Sequence, residues 1–382
     1  MRPAIHLQLL LGDPVPRPAP SEIADAVDRI EVSSSDAEAD AFQIVFKAGR
    51  GGTGGRVDQA LLGSRLLAPT SRVAIVVRIG PRPQALFDGV ITHRQYVPGA
   101  AAGSGLVAVT GDDLTTLMDL DERIVSYPAM GDAAIATALI ARYARYGVVP
   151  RVVPPAVLDQ PLPAVRVPMQ HGTDLDWLRA AAARVNHVFV LRAGPVPLTS
   201  VAYWGPAAGL TGRPLPALSV GVGGAADVTD ARFLHDALAP QRVVGRVADP
   251  DTGRILPLAA VPPAVSTLSG RPQPAARVAL ATGVGGVSAS VARGRAQALA
   301  DASANDAVVA EGTVDTGRYG AMLQTHRLVG VRGAGRVFDG LYQVRGVTHV
   351  LERGSYRQRF RLGRPGTDTT TAAVPTAGGL EG

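Results

Sequence analysis

Asp174 and Asp176 stand two residues apart at the head of a helix-like run, "TDLDWLRAAAARV" (173–185). Two carboxylates this close could act as general acid and general base. On a helix, however, positions two apart point in different directions. Both also suit the positive end of a helix, and Thr173 with Asp176 three residues on has the capping-box spacing. The seven histidines, 6, 93, 171, 187, 235, 326 and 349, include no pair at ligand spacing on one element. His326 and His349 are expected on the polar face of a C-terminal sheet. A metal site needs three or four converging ligands, and the sequence assembles none. Gly49-x-Gly51-x-x-Gly54 has the dinucleotide-binding spacing and follows a strand, but no helix opens after it and no acid follows in a βαβ unit. Gly330-x-x-Gly333-x-Gly335 reads as a turn between strands. There is no Walker loop, no His-Glu-x-x-His and no Gly-x-Ser-x-Gly. No cofactor is expected, and the chain reads as a non-enzyme.

The composition narrows the class further. Cysteine is absent, which excludes disulfides, zinc ribbons and thiol nucleophiles. No run approaches 18 apolar residues, so no membrane span is expected. "MRPAIHLQLLLGDPVP" lacks a small-residue cleavage site after its short apolar run, so cytoplasmic synthesis is expected. Lys47 is the sole lysine among 38 basic residues. From 321 to 364 nine arginines face two acids, Asp339 and Glu352, in a chain whose whole net charge is +6. Such a block could bind nucleic acid or an acidic partner. The strand "SYRQRFRLG" (355–363) places Arg357, Arg359 and Arg361 on one face and Tyr356, Gln358, Phe360 and Leu362 on the other.

The elements that would carry these residues fall into three regions. Six short runs rich in Val, Ile, Leu and Phe fill residues 4–111, a spacing that suggests a small barrel or sandwich. The glycine-rich 48–55 between them reads as a flexible loop. Residues 112–213 form an α/β unit. A helix over 131–147 is capped by Asp132, buries Ile135, Leu139, Tyr143 and Tyr146, and ends at Gly147. The second helix, capped by Thr173, buries Leu175, Leu178, Ala182 and Val185 and leads into the strand pair 187–193 and 200–205. Trp177 and Trp204 read as core or interface aromatics. Residues 214–363 return to β, with a hairpin turning at 249–253, a loop or linker over 257–287, a helix over 288–303 and four closing strands. The tail 364–382 has too little hydrophobicity to fold. The fold class is mainly β with an α/β insert (α+β).

Two stretches resemble a known family. "MQHGTDLDWLRAAAARVNHVFVL" (169–191) is similar to the middle signature of the hub proteins of contractile phage tails and injection systems, on Thr173, Asp174, Asp176, Trp177 and Leu178. These hubs include the late control D family and the base of the valine-glycine repeat spike proteins of type VI secretion. The end of the chain resembles the closing pattern of the same family. It carries Gly333 to Gly335, Phe338, Gly340, Tyr342-x-Val344 and Val347-x-His349, then a turn at Gly354 and Tyr356, Phe360 and Leu362.

The resemblance covers about residues 4–363 and implies two tube-protein-like β-barrel domains flanking an α/β unit. It implies a homotrimer whose six barrels imitate the six-fold tail tube, joining tail tube protein to a three-fold spike protein. It makes other baseplate proteins partners, and the lumen a place for cargo or the end of a tape measure. The product would assemble into a phage tail or injection-system particle. Fused spike proteins continue into further domains; this sequence stops about twenty residues after its last strand, so the spike is expected on a separate polypeptide. No lysozyme or peptidase insertion is seen. Arg357, Arg359 and Arg361 are then candidates for an assembly interface, facing the lumen or a partner. A nucleic-acid-binding module using the arginine-rich sheet is the alternative.

Overall fold

The computed structural model describes residues 5–370, apart from 14, 37, 49–60, 81, 100–103, 156–162, 164–166, 186, 195, 222–225, 249–252, 265–267 and 283–288. The loop expected over 48–55, with its Gly49-x-Gly51-x-x-Gly54 spacing, therefore lies almost wholly outside the described residues. So does most of the hairpin turn at 249–253. The chain divides into two compact units. Unit 1 is Met1–Gly209 with Thr316–Met322 and Val347–Gln358; unit 2 is Leu210–Asp315 with Leu323–Gly346 and Arg359–Gly382.

Unit 1 begins with β1 (Ile5–Leu11), β2 (Arg17–Pro18), β3 (Val27–Ser35), β4 (Ala41–Ala48), β5 (Arg72–Ile79), β6 (Arg82–Val97) and β7 (Gly105–Asp113). They hydrogen-bond in the order β3-β4-β7-β6-β5-β1-β2, with antiparallel pairing throughout. Alternate residues of six of these strands enter one core: Leu9, Ile30, Ile44, Ile75, Phe87 and Val107 represent β1, β3, β4, β5, β6 and β7. Successive strand residues point to opposite faces, so one core shared by so many strands requires the sheet to curl around it.

The α/β part of unit 1 follows as β8 (Arg123–Ser126), α1 (Asp132–Ala141), β9 (Val148–Val152), β10 (Met169–Gly172), α2 (Asp174–Arg184), β11 (Val188–Ala193) and β12 (Ser200–Gly205). β11 pairs antiparallel with β12, as expected, and β9 joins β12 in parallel. The helix expected over 131–147 stops at Ala141 and continues as a 3-10 turn at Ala144–Tyr146. Its N-cap is Gly131, not Asp132. The Asp132 carboxylate instead accepts from Arg184 Nη2 at 3.1 and 3.2 Å. Gly147 does end the segment, at φ 77°, and a Cβ there would lie 2.2 Å from the Leu198 carbonyl oxygen. Only glycine meets both conditions.

The outer face of β5 is where the curled sheet meets the α/β part. Ala74 and Val76 are buried there with Leu10 and Leu198. On the same face Val90 joins the helical core of Leu114, Ile135, Leu139, Trp177, Leu178 and Trp204. Between them sits a buried ion pair. Arg72 Nε and Nη2 donate to the two oxygens of Asp88 at 2.8 and 2.7 Å. Arg72 Nη2 also reaches the Leu198 carbonyl at 3.3 Å, and Ser200 Oγ donates to Asp88 at 3.3 Å.

Unit 2 holds β13 (Leu215–Ser219), β14 (Val228–His235), β15 (Gln241–Ala248), β16 (Ile255–Val261), β17 (Arg271–Pro272), β18 (Arg277–Leu280), α3 (Ala289–Ala304), β19 (Val308–Asp315) and β20 (Leu328–Arg332). A long hairpin, β21 (Gly340–Glu352) and β22 (Ser355–Arg364), has its tip, Val347–Gln358, in unit 1, and β23 (Gly366–Thr367) follows it. β14 pairs antiparallel with β19, and β20 antiparallel with β21. α3 lies on a three-stranded sheet, β16-β15-β18, through Ala292, Ala296 and Ala300, whose four-residue spacing puts small side chains on one face.

Two expectations are corrected here. The segment 257–287 is not a loop throughout: β16 runs to Val261, and β18 pairs in parallel with β15. β16 is the second arm of the expected hairpin, running past residue 257, whereas β18 was hidden because its partner β15 lies 36 residues earlier. The tail also begins later than Arg364. Arg364 is fully buried, donating to the carbonyls of Val337 and Asp339, and Gly366–Thr367 pair with Arg271–Pro272.

Both tryptophans lie in the helical core of unit 1, so their fluorescence reports on it. Arg72→Met should destabilise that unit by about 3–5 kcal/mol, because Asp88 is left buried and unpaired. Urea titration followed by tryptophan emission measures this, and Arg72→Met/Asp88→Leu should recover most of the loss.

Candidate functional site

The 169–194 cassette is built as its sequence suggests. Thr173 caps α2: its Oγ1 accepts from Asp176 N at 3.1 Å. The same hydroxyl donates to Asp119 Oδ1 at 2.7 Å, a partner the sequence did not indicate. Asp176 contributes its backbone N–H and leaves its side chain exposed. Leu178 is fully buried, and its carbonyl accepts from Trp204 Nε1 at 3.2 Å. Trp177 is buried, with the Tyr127 ring 6.3 Å from its own and the Arg184 guanidinium 5.7 Å over its face.

Asp174 does more than favour the helix terminus. Its side chain is buried and accepts from Arg142 Nη1 at 3.1 and 3.2 Å, from Tyr143 Oη at 2.9 Å and from Gln170 Nε2 at 2.8 Å. Gln170 in turn accepts from Tyr127 Oη at 2.7 Å. Burial, and then the Asp174 carboxylate, push the Tyr143 hydroxyl above its ordinary range, so it stays a proton donor. Every oxygen of Asp174 is occupied by a donor from the protein, which makes the network a brace between α1, β10 and α2.

A second carboxylate pair lies where β4 and β7 end. Asp40 N donates to Asp113 Oδ2 at 3.2 Å, and Asp113 N to the Asp40 carbonyl at 2.8 Å. Asp113 Oδ1 caps the following turn through Thr115 N at 2.8 Å. Burial, and then the neighbouring Asp113, push the Asp40 carboxyl up to about 7; Ser34 and Arg192 oppose this. No local pattern indicates this pair, because its members lie 73 positions apart.

Arg357, Arg359 and Arg361 are all exposed along one side of β22, while Tyr356, Gln358, Phe360 and Leu362 are buried. Arg361 is 3.1 Å from Glu311 and 3.8 Å from Asp306. The other basic residues of the block are largely engaged: Arg345 meets Asp306 at 3.1 Å, Arg332 donates to Ser219, and Arg327 and Arg353 to backbone carbonyls. His326 and His349, expected on a polar face, are both buried, and His349 Nδ1 lies 2.9 Å from Tyr356 Oη. His349 is buried because it falls on the inward register of β21, a parity set by pairing and not by residue type, whereas His326 lies just before β20 with a positive φ of 63°. Among the described residues no group of three or more His, Asp or Glu could hold a metal ion. No helix among them is long and apolar enough to cross a membrane.

No protein-family model and no curated protein matches this chain. Solved structures do. The tail protein from Neisseria meningitidis MC58 superposes with a TM-score of 0.64 at 13% identity, over 94% of this chain and 97% of that one. The 43 kDa tail protein of prophage MuSo2 from Shewanella oneidensis gives 0.59 at 15%, over 94% and 98%. An E. coli component of the type VI secretion system gives 0.52 at 14%, over 91% and 77%. The chain thus has the fold of phage tail proteins, shared with a type VI secretion component, and the mainly β class with an α/β part is the observed one.

Thr173→Ala should cost about 1 kcal/mol through the lost cap, and Thr173→Ser should restore most of it; urea titration by tryptophan emission measures both. Asp40 supplies a pH test. Its folded pKa lies above its unfolded one, so its contribution is full below about pH 4 and is lost as pH rises through about 7. Thermal melts between pH 4 and 8 should show wild-type stability falling across that window, and Asp40→Asn should flatten the slope.

Proposed function

We propose that this chain is a structural hub of a contractile tail or injection-system baseplate. Three copies form a ring of tube-like β-barrels that joins a six-fold tail tube to a three-fold spike. The observation that carries this reading is the end-to-end match to a tail protein, over 94% of this chain and 97% of that one. A match of that extent includes the α/β part and both flanking β regions, not one common module. The first barrel would be the curled sheet of 1–111, the second would lie within 214–363, and 112–213 would be the α/β unit between them. Partners on this reading are two further copies, a tail tube protein, a separate spike protein and other baseplate proteins, with cargo or a tape-measure end in the lumen. The protein would be made in the cytoplasm and end in the assembled particle. Its mechanism is assembly, not catalysis. A closed ring needs complementary edges repeated at a fixed angle, and a duplicated barrel offers them.

Light scattering on the purified protein, alone and with its spike protein, should give a mass near three times 39.4 kDa in at least one sample. A monomer or dimer in both would overturn the ring. Replacing Arg357, Arg359 and Arg361 together with Ala should leave the monomer folded, since all three are exposed, and weaken assembly. Normal assembly by the triple variant would remove these residues from the interface.

A further inference from the structure

Two exposed apolar patches in this chain are rimmed by charges of opposite sign. The first is the sheet face turned away from α3. Val243, Leu258, Ala296 and Ala300 fill the face beneath the helix. On the other face Ile255, Val278 and Leu280 are 68%, 54% and 73% exposed. The register sets Leu280 beside Val244 and Ile255 beside Ala248, with Arg246 and Pro257 between the two pairs, so apolar side chains from all three strands share this face with arginine. Arg242 and Arg246 stand exposed on this outer face of β15.

The second patch is the ribbon of β8 and β10. Its inner face carries the buried Gln170 of the brace. Its outer face carries Ile124, 76% exposed, and Met169, 49% exposed, with Leu120 at 64% just before the ribbon. The acids Asp119, Asp121 and Glu122 are exposed around it. Arg123 is held by Asp121 at 3.3 Å, and His171 stands exposed beside Ile124 on the outer face.

Large side chains exposed in contiguous groups within a polar rim mark contact surfaces. Each patch meeting itself on a second copy would bring like charges together, which is costly. Each meeting the other would bury both apolar centres and set arginines against carboxylates. We propose that the outer face of the β15–β16–β18 sheet of one copy binds the β8–β10 ribbon of the next copy, head to tail. Such a contact is heterologous, and repeated it closes into a ring where the rotation permits. This inference rests on the ring reading above and names the surfaces that would make it.

The absence of native cysteine makes the test clean. Ile124→Cys and Leu280→Cys each replace an exposed side chain, so neither should disturb folding. The two variants are mixed, alone and with the spike protein, and treated with a short flexible bismaleimide. The mixture should give cross-linked dimer in about tenfold excess over either variant by itself, because only the mixed pair is held at high effective concentration. Arg246→Glu should reduce that yield, and Glu122→Arg in the partner variant should restore it. A trimer by mass with no mixed cross-link in excess would overturn the proposed pairing and leave the ring standing. No oligomer in either sample would overturn both.

Discussion

The buried pair of Arg72 and Asp88 is the constraint on which unit 1 depends. It sits on the outer face of the curled sheet, where a barrel strand would ordinarily meet water. Two ions removed from solvent lose several kcal/mol each unless their hydrogen bonds are met. Here they are met partly from outside the sheet, by Ser200 Oγ and the Leu198 carbonyl. The pair is therefore satisfied only when the α/β part is docked. Val90 beside it enters the helical core, and Ala74 and Val76 are covered at the same seam. An apolar seam of similar area could slide; a bidentate pair fixes register as well as contact.

The cassette at 169–194 extends the same logic inward. Thr173 satisfies an end of α2 and ties Asp119 to it. Asp174 collects donors from the two residues after α1 and from β10. The Thr173 hydroxyl and the Asp174 carboxylate are thus occupied by the protein's own groups, while the Asp176 carboxylate is exposed. Further exposed chemistry lies on the arginine side of β22 and on the two apolar patches with opposite rims.

Shared fold at 13% to 15% identity shows how little of the sequence the architecture demands. The sheet of unit 1 needs alternating apolar residues, and many combinations supply them. The turns need positive φ at points such as Gly147, Gly333 and Gly335. The remaining surface is free to diverge.

Local pattern alone determined a good part of this protein. The six runs of 4–111 became strands because alternation decides which face is buried. The cap at Thr173 was legible because its partner is three residues away, and the arginine face of β22 because strand parity is a period of two. Tertiary structure decided the rest. The 257–287 segment holds β18, whose partner β15 lies 36 residues earlier; Arg364, expected in a loose tail, is enclosed by a turn more than twenty residues earlier. Asp88 found Arg72, Asp174 found Arg142, and Asp40 found Asp113 at separations no periodicity records. A lone charged residue reads as solvated until the fold places its partner beside it, since burial and pairing are properties of contacts between distant segments.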